Sequence, residues 1–202
     1  MAFFRKLNWN VTGKGRGQLE ERATVEARGT DRASRHPVFE NLEPRLLLDG
    51  ELVAGLWGQY SMPGGSVTDF PDYDSLTAAH TRVDSQVNFP STAGDFGGYE
   101  DLDDDFAIRW TGKIEMTSTG SVTFFLESDD GSRLYIDGSP VVSNGGLHGM
   151  TEQSGSTFLT AGLHDIELQY FEHTGNNGVI FRDDPADGPT QIVPASVLFH
   201  EE

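Results

Sequence analysis

The sequence predicts an all-β chain: an antiparallel β-sandwich over residues 51–202, preceded by a largely disordered tail over 1–50. Three observations carry this. Short segments rich in Val, Phe, Ile and Thr recur between turns drawn from 24 Gly and 9 Pro, and no helical periodicity is sustained after residue 50, which is the pattern of a sandwich. An apolar fraction of 36% in 202 residues supports one core with a tail left over. The charge is also split, with nine Lys or Arg against seven Asp or Glu in residues 1–49 and five against twenty-five in the remainder.

Residues 1–36 alternate charged and small side chains, with Arg at 5, 16, 22, 28, 32 and 35, and offer too little apolar surface to fold alone. The run Phe39 to Gly50 departs from this, because Leu46-Leu47-Leu48 in a polar tail needs a partner. The β body begins at Ala54. Gly55 to Tyr60 reads as a strand, followed by a long loop rich in Gly, Pro and Asp through about Asp84, and Val87-Asn88-Phe89 as a short strand. Phe106 to Ile114 alternates cleanly and puts Phe106, Ile108 and Trp110 on one face. Val122 to Leu126 is the next strand, and Val141-Val142 and Thr157-Phe158-Leu159 follow, with a Gly-rich, His-bearing loop from Ser143 to Gly155 between them. Asp165 to Tyr170 turns Ile166, Leu168 and Tyr170 one way. A polar loop, Glu172 to Gly178, precedes the last strands at Val179-Ile180-Phe181 and Ser196 to Phe199.

Ser128 to Gly138 compresses an acidic pair, a turn and a strand into eleven residues. Leu134 and Ile136 alternate with Arg133 and Tyr135 as in a half-buried strand, and Asp137-Gly138 is a two-residue hairpin signal because both residues tolerate positive φ. In extended backbone, neighbouring side chains point to opposite faces, so Asp129 and Asp130 can grip one ion only if the backbone between them is distorted, as a cis peptide would do. Asp-Asp-Gly is equally an ordinary solvated turn.

Other chemistry finds little footing. An acidic body repels nucleic acid and anionic membranes. No Cys is present, which removes disulfides, zinc thiolates and thiol nucleophiles. No apolar run approaches the length of a membrane span, and Met1 to Gly17 has the positive flank of a signal peptide without its apolar segment. Asp101, Asp103 and Asp105 begin an EF-hand spacing, but Phe106 and Gly112 stand where Gly and Glu are required, which leaves a solvated acidic turn. The six His show no metal-ligand spacing, and neither a Gly-x-Ser-x-Gly elbow nor a phosphate-binding glycine loop is present, so the chain reads as non-catalytic, at most an accessory module to an enzyme.

Taken together, residues 54 to 199 resemble the anthrax protective-antigen-type (PA-fourteen) β-sandwich module. The resemblance rests on Gly55-Leu56 with Tyr60, on Arg109-Trp110 with Gly112, on Ser128 to Gly138, on Ala161-Gly162 with His164, and on Ile192-Val193-Pro194. Phe181 departs from it, since the family more often has Trp there. The dodecamer 39–50 resembles the LEPR-XLL segment of exported bacterial proteins, which implies an addressing role for residues 1–50 and an extracellular or cell-envelope location. The module resemblance implies a calcium-dependent carbohydrate-binding or adhesion function, with Asp129 and Asp130 as metal ligands, an Asn from the second loop, either Asn176 or Asn177, completing the site, and His173 in that same loop. It implies calcium as the cofactor and a glycan or cell-surface polysaccharide as the partner. Trp57, Tyr60 or Tyr99 would stack on a sugar if they are not core. The alternative is a non-catalytic structural domain of an envelope assembly in which the Asp pair braces a loop.

Overall fold

A computed structural model describes residues 50–184 and 189–202. The tail, with its expected disorder and its LEPR-XLL-like run up to residue 49, lies outside the described residues, as does the end of the acidic stretch at 185–188. Among the described residues there are thirteen strands: β1 (Leu52–Ala54), β2 (Leu56–Ser61), β3 (Ala78–Asp84), β4 (Asn88–Ala93), β5 (Phe106–Met116), β6 (Gly120–Asp129), β7 (Ser132–Ile136), β8 (Ser139–Asn144), β9 (Thr151–Leu159), β10 (Gly162–Glu172), β11 (Asn176–Asp184), β12 (Gln191–Ile192) and β13 (Leu198–Glu201). The larger sheet runs β1-β13-β5-β10-β7-β8, with β2 beside the other half of β5 and β3 beside β2. The smaller sheet runs β12-β11-β6-β9, and β4 also pairs with β11.

The two sheets close on the residues whose alternation is visible in the sequence. Phe106, Ile108 and Trp110 of β5, Leu168 and Tyr170 of β10 and Leu134 of β7 are fully buried against Phe124, Leu126 and Val179 from the smaller sheet. Phe181, the departure noted above, is core as well, its ring 5.7 Å from that of Phe124. Asp137 and Gly138 both have positive φ, 50° and 72°, as the two-residue turn between β7 and β8 requires.

Three boundaries differ from the sequence reading. The loop expected through Asp84 contains β3, which pairs along β2 from Leu56↔Asp84 to Ser61↔Ala78. Its more buried positions carry Ala78, His80, Arg82 and Asp84, so apolar periodicity is silent there. The Arg82 guanidinium lies 4.9 Å from the Tyr60 ring and 5.2 Å from that of Tyr99, and His80 stacks on Tyr99 at 4.1 Å. Cation–π and stacking contacts replace the missing apolar side chains. Next, the polar loop expected at 172–178 is only three residues long, because β10 runs to Glu172 and β11 starts at Asn176, where Asn176 and Asn177 pair with Ala93 and Thr92 of β4.

Last, the loop expected up to Gly155 ends at Thr151, and Gly155 lies inside β9. A Cβ on Gly155 would stand 1.8 Å from the Val141 carbonyl oxygen of β8, so only a bare Cα lets the edge of one sheet approach the edge of the other. Gly155→Ala is expected to cost about 1–3 kcal/mol, read as a lower denaturant midpoint at unchanged slope. An unchanged midpoint would show that the two edges do not bear on one another.

Candidate functional site

Strand β6 delivers Asp129 at its buried end, and the Asp129–Asp130 peptide is cis. The Asp130 carboxylate is then caught between two segments, Oδ1 accepting from the His148 amide at 2.8 Å and Oδ2 from the His173 amide at 3.0 Å. The Asp130 amide in turn donates to Glu172 Oε2 at 3.0 Å. Tyr170 donates its hydroxyl proton to the Asp129 carbonyl and itself accepts from the Gly178 amide at 3.1 Å. Ser128 and Ser132, joined hydroxyl to hydroxyl at 2.7 Å and reached by Asn144 Nδ2 at 3.0 Å, brace the turn next to the pair.

These contacts gather three carboxylates. One oxygen from each of Asp129, Asp130 and Glu172 lies within 4.8 Å of the others, and all three residues are buried. Concentrating negative charge in a buried site is unfavourable unless a cation or a proton offsets it. Burial, and then the charges of Asp130 and Asp129, push the Glu172 carboxyl up to about 8. Burial and Asp130 also raise Asp129.

Two buried oxygens are left over in this part of the fold. Glu172 Oε1 and Asn177 Oδ1 have no hydrogen-bond partner. Asn177 is fully buried, its Nδ2 donates to the Gly94 carbonyl at 2.6 Å, and the next residue on its strand, Gly178, is paired with Asp129. A buried acceptor without a donor costs free energy, and a set of carboxylate and amide oxygens without nitrogen or sulfur suits a hard cation. The residues therefore fit calcium.

The sequence-predicted residues fall as follows. Asp129 and Asp130 come together as expected. Asn177 is buried beside them in the ladder, whereas Asn176 is exposed. His173 reaches the pair through its backbone amide, while its ring Nδ1 lies 2.9 Å from Asp105 Oδ1 and 3.3 Å from Ser66 Oγ. The acidic turn is less idle than its solvated reading suggests: Asp105, at φ 53°, also accepts from the Val67 amide at 2.8 Å, and Asp104 accepts from the Gly175 amide at 3.1 Å. Both pin the segment that carries His173. Of the three aromatics, Tyr60 is core, while Trp57 is exposed on the outer face of the larger sheet.

Glu172 escaped the sequence reading. Its signal was present, because Ile166, Leu168 and Tyr170 point inward and the next position in that series is a carboxylate. An acidic residue at the inward position of an apolar strand needs a partner.

The PA14 domain family profile matches residues 52–191. Anti-sigma-I factor RsgI3 of Acetivibrio thermocellus is 31% identical over 97 residues, 48% of this chain and 15% of that protein. An alpha-agarase of Thalassotalea agarivorans is 31% identical over 143 residues, 67% of this chain and 10% of the agarase. The chain thus spans a small part of the curated relatives it matches. Among solved structures, the PA14 sugar-binding domain from an RTX adhesin superposes with a TM-score of 0.64 at 22% identity, covering 73% of this chain and 99% of that one. A match across residues 52–191, most of the described body, makes this chain a member of the PA14 domain family.

Proposed function

We propose that the chain is a calcium-dependent carbohydrate-binding or adhesion module of an exported protein, working in the extracellular space or cell envelope. The observation that carries the reading is the convergence of Asp129, Asp130 and Glu172, with Oε1 of Glu172 and, on the strand paired with Asp129, Oδ1 of Asn177 left without hydrogen-bond partners. Asp129, Asp130, Asn177 and Glu172 would hold the ion. Calcium takes six to eight oxygens in a forgiving geometry, and a bound ion with open positions supplies coordination to vicinal sugar hydroxyls. The residues of this chain do the positioning: the amides of His148 and His173 fix Asp130, and Tyr170 fixes the carbonyl between the two Asp.

The relatives point the same way. The chain shares sequence with an alpha-agarase, and by fold alone it is like a domain described as sugar-binding. No helix among the described residues is long and apolar enough to cross a membrane. Addressing by residues 1–50 belongs to the same reading.

A second reading has its own observation. Glu172 and Asn177 are fully buried and both oxygens of Asp130 are already engaged, which suits an ion that braces loops in a structural domain of an envelope assembly. Retention of the chain on immobilised agarose and other polysaccharides separates the two. The module reading expects retention that calcium strengthens, with that gain lost in EGTA and in the Asp129→Asn, Asp130→Asn double variant. Retention that calcium does not strengthen on any polysaccharide, together with calcium-dependent thermal stability, would overturn it in favour of the brace.

A further inference from the structure

Much of the outer face of the larger sheet is polar, yet two aromatic side chains, Trp57 and Tyr135, line a hollow on it. Trp57 of β2, Thr111 of β5, Glu167 of β10 and Tyr135 of β7 are successive cross-strand partners. Their neighbours in sequence, Leu56, Trp110, Leu168, Leu134 and Ile136, are buried in the core, so this row faces outward. Three strand spacings set the two aromatic strands about 14 Å apart. Between them lies a groove of about 540 Å³, within the range of ligand sites. A smaller hollow of about 190 Å³ shares Glu167 and Gln169 with it and extends over Arg109 and Arg133 towards the turn at Pro71 to Asp74.

We propose that this groove binds a neutral oligosaccharide, as a second site that needs no metal ion. It shares no residue with the three-carboxylate site and does not rest on the calcium reading. Its walls and floor divide as a sugar's surface does. Trp57, 38% exposed and backed by the His200 ring at 6.2 Å, forms one platform. Tyr135, with the Arg133 guanidinium 5.5 Å from its ring, forms the other. Such faces pack against the C–H faces of pyranoses, while the Thr111 hydroxyl and the Glu167 carboxylate, held in place by Gln169 Nε2, offer a donor and acceptors to hydroxyl groups.

Charge and topology select the ligand. Lys113 is already paired with Asp165 at 2.6 Å and Glu201 at 3.4 Å, and Arg133 beside the groove is engaged by Gln169 and by the Phe70 and Tyr135 rings, while Asp165, Glu167 and Glu201 line the groove, so among the described residues its charge disfavours an anionic glycan or nucleic acid. Strands β2, β5, β10 and β7 are each hydrogen-bonded on both sides, so no strand edge is open here to receive a peptide as an added strand.

The test uses the full chain in EGTA with cellohexaose, laminarihexaose, xylohexaose and neoagarohexaose, following tryptophan fluorescence and calorimetric heats. Saturable binding to at least one is expected, weakened roughly tenfold by Trp57→Ala and by Tyr135→Ala and unchanged in the Asp129→Asn, Asp130→Asn variant. Glu167→Gln, which keeps the shape of the floor, serves as a third variant, and thermal unfolding confirms that each remains folded. Absence of saturable binding across the four sugars overturns the proposal. So does binding that the Trp57 and Tyr135 variants leave intact, or saturable binding of oligolysine in place of sugar. The calcium reading fails by a different result, namely polysaccharide retention by the Trp57→Ala, Tyr135→Ala double variant in calcium that EGTA and the Asp variants do not change.

Discussion

Calcium binding by the full chain is expected to tighten more than tenfold between about pH 6 and pH 8. The Glu172 carboxyl is pushed up to about 8 by burial and by the neighbouring Asp130 and Asp129, and an ion that needs its carboxylate must displace a proton below that pH, so apparent affinity falls about tenfold per pH unit. The linked stability has a definite sign. A carboxyl raised in the folded state holds its proton there while the unfolded chain has lost it, so the ion-free protein loses stability as pH rises from about 4.5 to about 8. Calcium at a hundred times its dissociation constant restores about 2.7 kcal/mol. Titration calorimetry in buffers of differing ionisation enthalpy reads the proton release directly. Glu172→Gln, close in shape and unable to ionise, is expected to flatten both pH profiles; a profile as steep as that of the wild type would remove Glu172 from the site. Equal weak heats in the wild type and in the Asp129→Asn, Asp130→Asn variant would mean that calcium only screens an acidic surface.

Asp84→Ala is expected to cost about 3 to 5 kcal/mol. This carboxylate lies on the more buried face of β3 and accepts from three donors: the Tyr60 hydroxyl, Trp110 Nε1 at 2.7 Å and Arg82 Nε at 2.7 Å. Burial and then Asp84 hold the Tyr60 phenol far above its ordinary range, so it remains a donor at any working pH. Truncation leaves the indole and the phenol buried without an acceptor and Arg82 without its counter-charge, and it detaches β3 from the core. Denaturant unfolding monitored by tryptophan fluorescence measures the loss. A cost below about 1 kcal/mol would show that the three donors find other acceptors and that the network is not what fixes β3.

What the sequence disclosed follows from how each part is stabilised. Strands β5 and β10 are held by apolar alternation, and Phe106 to Trp110 and Ile166 to Tyr170 were readable as a result. Strand β3 is held by Arg82, His80 and Asp84, whose fit depends on Tyr60, Tyr99 and Trp110 arriving from other segments, so no local pattern could announce it. Asp129 and Asp130 stood out because they are adjacent in the chain. The choice between Asn176 and Asn177 depends on which of them faces inward once β11 pairs with β4, and that alternation is fixed only by the ladder. Glu172 joins the pair across more than forty residues, through the register of β10 between β5 and β7.

The pairing of β1 with β13 has a mechanical consequence. Leu52 lies opposite Glu201 and Ala54 opposite Phe199, so the backbone enters and leaves the sandwich side by side at one edge. Tension applied through residues 51 and 202 would load this three-pair ladder one pair at a time, peeling β1 away at low force instead of shearing all its hydrogen bonds together. The described body would then yield to tension first at this ladder, while β5, β10 and the carboxylate site, held in the interior of the sheets, would carry little of the load.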